Sequence, residues 1–262
     1  MEAIYDVIGA AYNSTRKADP FIANQLFNLL KPEAGKLYLD IGCGIGNYTC
    51  ALAEMGVDFI GVEPSDKMLR EAFGRDQKIT WLNGTAEQIP LSDSKVDGVI
   101  ATLTIHHWTN LEQSMREIYR ITKPHSLLVI FTATPEQMCG YWLNHYFPEM
   151  LGSSMEKMLS LNAIDEAVTM VGFKIETTEK YFIQDTLHDN FLYAGKNRPE
   201  LYLNERIRKG ISSFSALANK DEVSSGLLKL STDLQNGDFE VVKNRHENND
   251  GDYLFIVAKR QN

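Results

Sequence analysis

The sequence predicts an α/β fold, a doubly wound and mostly parallel sheet with helices on both faces. Three observations lead there. Between residues 37 and 131, short apolar runs alternate with stretches of helical periodicity five times, as parallel strands joined by right-handed crossovers require. The first of these runs, Leu37-Tyr38-Leu39-Asp40-Ile41, passes directly into Gly42-Cys43-Gly44-Ile45-Gly46, a turn whose glycines reach φ angles closed to other residues and bare the main chain where strand becomes helix. The composition is that of a globular chain, with 44% hydrophobic and 23% charged residues over 262 positions. That length suits one α/β domain with insertions, or a core with a small cap.

Each element has its own local reason. Asp19-Pro20 is an N-cap and first-turn pair; Phe21, Ile22, Leu26, Phe27 and Leu30 then form one apolar face until Lys31-Pro32 stops the helix. Residues 37–41 are short and apolar enough for a buried parallel strand. After the glycines, Tyr48, Leu52 and Met55 recur at helical spacing and Gly56 closes the helix. Residues 59–62 are the second strand, ending on Glu63. Ser65 caps a helix with Met68, Leu69 and Ala72 inward, and residues 79–82 are the third strand. Residues 96–103 form the fourth strand, with Asp97 at its start. Thr109 and Glu112 read as a capping box for a helix with Leu111, Met115, Ile118 and Tyr119 inward. A turn at residues 123–126 leads to the fifth strand, 127–131.

Beyond Thr134 the alternation breaks. Residues 140–150 are dense in aromatics; residues 162–172 return to a helix closed by glycine; residues 173–183 read as a sixth strand. Residues 185–236 are helical and polar-rich, 244–252 a polar turn, and 253–258 a closing strand expected antiparallel at the sheet edge. No repeats or low-complexity tracts appear.

A net charge of −9 and a pI near 5.2 argue against gripping a phosphate backbone, which needs a basic face, so nucleic acid is not an expected partner. No apolar run approaches a membrane span and the N-terminus lacks a signal-peptide pattern, so no membrane is expected and cytoplasm is the expected compartment. The cysteines Cys43, Cys50 and Cys139 form no C-x-x-C pair; no metal site is expected. Oligomeric state is not legible.

The glycine spacing discriminates between ligands. Dinucleotide-binding turns read G-x-G-x-x-G, whereas here Asn47 stands where the third glycine would fall and the pattern is Asp40-x-Gly42-x-Gly44-x-Gly46. Glu63, ending the second strand, can accept hydrogen bonds from both hydroxyls of an unphosphorylated ribose. Together these residues resemble motif I and the following acidic position of class I S-adenosylmethionine (SAM)-dependent methyltransferases, closest to the ubiquinone/menaquinone-biosynthesis type that acts on small molecules. The resemblance covers the first half of the chain well. It implies a Rossmann-like sheet of seven strands. The SAM-binding core would be residues 1–134 with 160–184 and 252–262, residues 1–18 serving as a lid. Residues 135–159 and 185–236 would form a helical cap, inserted after strands five and six.

The same resemblance implies the site residues. Tyr12 and Arg16 would cover the sulfonium and carboxylate of SAM. Asp40, Gly42, Cys43, Gly44, Gly46, Glu63, Pro64, Met68 and Thr102 would form the rest of the cofactor wall. Residues 83–91 match the stretch that reads adenine, with Thr85 where the family normally has Asp, so that Glu87 would have to meet the exocyclic amine beside Ala86. Candidate bases are His107, His106 and His145, in that order; the first two follow the fourth strand, whose carboxyl end faces the ligand crevice in such sheets. The His pair reads more readily as a loop fastener that holds the cofactor side of the pocket. Tyr5, Trp142 and Tyr146 are candidate acceptor contacts, with cap packing as the competing reading. The expected reaction is in-line methyl transfer from SAM to an O, N or C nucleophile of a small molecule, releasing S-adenosylhomocysteine. No Asp/Asn-Pro-Pro-Tyr/Phe or Pro-Cys motif of DNA-methylating enzymes occurs. The alternatives are a non-catalytic SAM-binding protein and a nicotinamide-dependent oxidoreductase, the latter disfavoured by the displaced glycine.

Overall fold

The computed structural model describes residues 15–262; the expected lid residues Tyr5 and Tyr12 lie outside them. Helix α1 (Pro20–Leu30) begins at Asp19, whose carboxylate accepts from the amides of Phe21 and Ile22. Then follow β1 (Leu37–Ile41), α2 (Asn47–Glu54), β2 (Asp58–Glu63), α3 (Asp66–Arg75), β3 (Thr80–Asn83), β4 (Val96–Thr102), α4 (Leu111–Ile121) and β5 (Thr122–Thr132). The next helices are α5 (Pro135–Cys139), α6 (Pro148–Met155) and α7 (Leu161–Met170), before strand β6 (Phe173–Tyr181). Four more, α8 (Glu205–Lys209), α9 (Ser212–Ala216), α10 (Lys220–Asn236) and α11 (Phe239–Arg245), precede β7 (Tyr253–Arg260).

The seven strands form one sheet in the order β3-β2-β1-β4-β5-β7-β6, parallel from β3 through β5. Strands β1 and β4 are neighbours, yet the chain leaves them for opposite faces. Tyr48 and Leu52 of α2 join the core on one face with Ile22 and Leu26 of α1; Met115 and Ile118 of α4 join the core on the other with Ile164 and Val168 of α7. This divergence opens a crevice at the carboxyl ends of β1 and β4.

Three expectations are corrected. The closing strand is antiparallel but not at the edge, because β7 lies between β5 and β6 and pairs with both. Its run Tyr253-Leu254-Phe255-Ile256-Val257-Ala258 is buried throughout, as an interior strand requires, whereas β6 carries Lys174, Glu176, Glu179 and Lys180, the charges that keep an edge from pairing further. The N-cap of α4 is Asn110, not Thr109: its side chain accepts from the Gln113 amide at 3.0 Å. Glu112 instead pairs with Arg116 on the exposed face. The fifth strand starts at Thr122 and is kinked at His125, whose φ is 66°.

The aromatic stretch after β5 packs the helical insertions onto one face of the sheet. Trp142, 1% exposed, has the rings of Tyr146, Tyr193, Tyr202 and Phe239 around it at 5.0–6.0 Å. Its indole N–H donates to the Lys196 carbonyl, and its amide to the Tyr193 hydroxyl. Tyr146 donates to Asp233 of α10. Both side chains are fully engaged in this packing and border neither cavity described below, so their expected role as acceptor contacts is withdrawn. Trp142→Ala should cost about 3–5 kcal/mol, read as a lower denaturant midpoint; a change under about 1 kcal/mol would remove Trp142 from the centre of this packing.

Candidate functional site

The turn at residues 42–46 holds three glycines with φ of 69°, 57° and 75°, and each has a different reason to lack a side chain. A Cβ on Gly42 would strike the Thr104 hydroxyl, and one on Gly46 the Trp81 ring. A Cβ on Gly44 would meet nothing closer than Met68 Sδ at 3.8 Å; its bare main chain faces the crevice. Glu63 fastens this turn, Oε2 accepting from the Gly44 amide at 3.1 Å and Oε1 from the Ser65 amide at 3.0 Å.

The crevice is a cavity of about 440 Å³, within the range of small-ligand sites. Arg16, Gly42, Cys43, Gly44, Glu63, Pro64, Met68, Thr85, Ala86, Glu87, Thr102 and His107, all expected from the sequence, border it. Asp40 and Gly46 lie behind the wall. Burial pushes the Asp40 carboxyl up to about 7, although the Thr49 hydroxyl bonds its Oδ2 at 2.7 Å; Glu63 adds to the rise. Asp40 Oδ1 and Thr102 Oγ1 are buried with no partner among the described residues. Burial also pushes the Cys43 thiol well up, keeping it protonated.

Glu87 borders the crevice with one carboxylate oxygen already engaged. Its Oε1 accepts from the Thr109 amide and hydroxyl and from the Asn110 amide, at 2.6–3.1 Å. Burial alone would raise this carboxyl, but these bonds and its own amide hold it below the usual range. It therefore ties the crevice floor to the start of α4.

A second cavity, about 90 Å³, lies between the sheet and the helical insertions, with Met138, Met158, Phe191, Leu192, Ile211 and Leu217 on its walls. Arg16, Leu103 and His107 border both cavities. His106 borders only the second; its ring lies 4.0 Å from that of His107, and its Nδ1 has no partner among the described residues. Burial, with His107 and Lys157 adding to it, pushes His106 well below its ordinary value. Burial and the Lys157 charge push His107 down to about 4. Both imidazoles are neutral near pH 7. His145 is elsewhere, beside Tyr146 and Lys229 on the insertions, and borders neither cavity. It is removed from the candidate bases.

Arg16 is held by Asp189, which is buried: Nε to Oδ1 is 2.5 Å and Nη2 to Oδ2 is 3.0 Å. The Tyr48 hydroxyl donates to the same carboxylate at 3.2 Å. Sequence reasoning found Arg16 but missed Asp189 and the second cavity's methionines, for which no local pattern stands out.

Comparison with known proteins bears on this geometry. A methyltransferase-domain family model matches residues 39–130, the stretch from β1 to β5 that builds the crevice. A solved putative methyltransferase from an antibiotic biosynthesis pathway of Anabaena variabilis is 36% identical, covers 93% of this chain and 98% of its own, and superposes with a TM-score of 0.83. The chain is a class I SAM-dependent methyltransferase. An uncharacterized methyltransferase of Mycobacterium bovis is similar at 26% identity, over 81% of this chain and 88% of its own. A ubiquinone/menaquinone biosynthesis C-methyltransferase of Rubrivivax gelatinosus shares 26% identity over 55% of this chain and 59% of its own. No helix of the described residues is long and apolar enough to cross a membrane.

In this methyltransferase the ion pair between Arg16 and Asp189 joins the chain before α1 to the segment between β6 and α8. Asp189→Asn leaves the guanidinium without its counter-charge. The expected cost is about 2–3 kcal/mol, below the full value for a buried pair because Arg16 keeps some solvent contact. Thermal melts should fall on the order of 5–10 °C; a shift under about 2 °C would show that the pair contributes little.

Proposed function

We propose that this methyltransferase holds SAM in the larger cavity and a small apolar acceptor in the smaller one, and that the acceptor reacts through an O–H group at His107. The supporting observation is that Arg16, Leu103 and His107 border both cavities, so a donor in one and an acceptor in the other meet there.

The residues present fit SAM. Gly44 offers bare main chain, Glu63 places a carboxylate on the crevice wall for a ribose diol, and Asp40 Oδ1 behind the wall and Thr102 Oγ1, buried with no partner among the described residues, suit a bridge by water to a ligand's ammonium. SAM supplies a methyl carbon already activated by its sulfonium. What the chain's own residues do is align the acceptor, exclude water and receive a proton. As the carbon–sulfur bond breaks and a carbon–oxygen bond forms, the hydroxyl proton passes to His107 and on to water. A base near 4 is unprotonated at neutral pH but weak, so the transfer is driven by the acidity that the oxygen gains as the methyl group arrives. A cationic amine fits less well, because no carboxylate among the described residues borders the acceptor cavity.

Calorimetric titration with SAM and S-adenosylhomocysteine tests the donor site. Its pH dependence follows from Asp40. A positive ligand near this carboxyl favours the ionised form, so binding should release about 0.9 proton at pH 6 and about 0.1 at pH 8, given its value near 7. Affinity should therefore rise from pH 6 to 8. Titrations in buffers of different ionisation enthalpy read the proton count; a release that persists in Asp40→Asn would assign it to another group.

For the acceptor step, His107→Gln should lower kcat on the order of 10²-fold. Because the folded-state value is about 4, wild-type kcat should stay level from pH 8 to about pH 5.5 and fall below about pH 4.5 as His107 protonates. An acid limb centred near 6.5 would point to a different base.

A further inference from the structure

The charge pattern of the acceptor cavity restricts its occupant. Among the described residues on its walls there is no aspartate or glutamate, and the groups that could carry positive charge are Arg16, Lys157, His106 and His107. Arg16 is offset by Asp189. The two imidazoles are neutral, held so partly by the charge on Lys157 itself. What remains is one cation with no ion pair among the described residues, Lys157. It is exposed, at the turn after α6, where its amide donates to the Ser154 carbonyl. It borders the cavity together with His107, Met138, Met158, Leu192 and Leu217. One cavity thus combines an exposed cation, apolar walls and a neutral imidazole.

Size adds a second restriction. A dry apolar cavity of about 150 Å³ just holds benzene, and this one is about 90 Å³. Only the reacting end of an acceptor enters fully, and its remainder extends toward Lys157.

We propose that the methyl acceptor is a slender hydroxy acid, with its hydroxyl end at His107, an apolar middle between the methionines, and a carboxylate or equivalent anion paired with Lys157. This rests on the reading that the smaller cavity is the acceptor's. Lys157 is then the specificity-determining residue: it attracts acids, repels ammonium-bearing acceptors and leaves the donor cavity, which it does not border, untouched.

The test uses metabolite extract incubated with the full-length enzyme and methyl-labelled SAM, the labelled products being separated on anion and cation exchangers at neutral pH. The expected product is retained by the anion exchanger. Its kcat/KM should fall about 2- to 5-fold in Lys157→Ala, the size of one exposed ion pair, fall further in Lys157→Glu, and stay within about twofold in Lys157→Arg. SAM affinity should not change in any of these. A labelled product that is neutral or cationic overturns the proposal, as does unchanged turnover in Lys157→Glu. If the wild type binds SAM but labels nothing, the acceptor reading itself fails and this inference goes with it; a labelled amine would overturn the inference alone.

Discussion

The structure depends on a short turn in which three positions must be glycine. Residues 42–46 are pressed from three directions: Thr104 from beyond β4, Trp81 from β3, and the Glu63 carboxylate from the end of β2. The left-handed φ values at Gly42, Gly44 and Gly46 are accessible without penalty only to glycine, and the crowding at Gly42 and Gly46 would exclude a Cβ in any case. Only at Gly44 is the space left to a ligand. The carboxyl ends of four strands are thereby fixed relative to one another, and the crevice takes its shape from that contact.

Much of this was legible in the sequence because it is local. The strand before the glycines, the acid at 63 and the alternation of strand and helix each lie within a few residues, and family resemblance joined them correctly. The position of β7 was legible too, had the charges of β6 and the unbroken apolar run from Tyr253 to Ala258 been weighed as edge and interior signals. The smaller cavity was not. Its walls come from Arg16, Leu103, Met158, Phe191 and Leu217, residues that no periodicity connects. Aromatic density drew attention to Trp142 and Tyr146, but rings of this kind serve a core as well as a ligand, and only their hydrogen bonds to Lys196, Tyr193 and Asp233 decide between the two. Glu87 shows the same limit: its proximity to the crevice was readable, its commitment to the start of α4 was not, because its partners lie across the turn at Thr109 and Asn110.

Between the two cavities stands Leu103, a non-glycine residue at φ 54°. A branched side chain in that region costs on the order of 1–2 kcal/mol, so the surroundings must hold it there. They do so from both sides. Its amide donates to the Phe131 carbonyl at 2.8 Å, and Phe131 is packed against Phe255, Tyr253 and Phe191. Phe191 and Tyr253 in turn border the smaller cavity. Following Leu103, Thr104 covers Gly42 and its carbonyl accepts from the His107 amide at 2.8 Å. One strained residue therefore turns the chain from the sheet into the wall that the two cavities share, and sets both the glycine contact and the imidazole. Through Phe191 the helical insertions join the packing around Phe131, so a change there reaches the wall of both cavities.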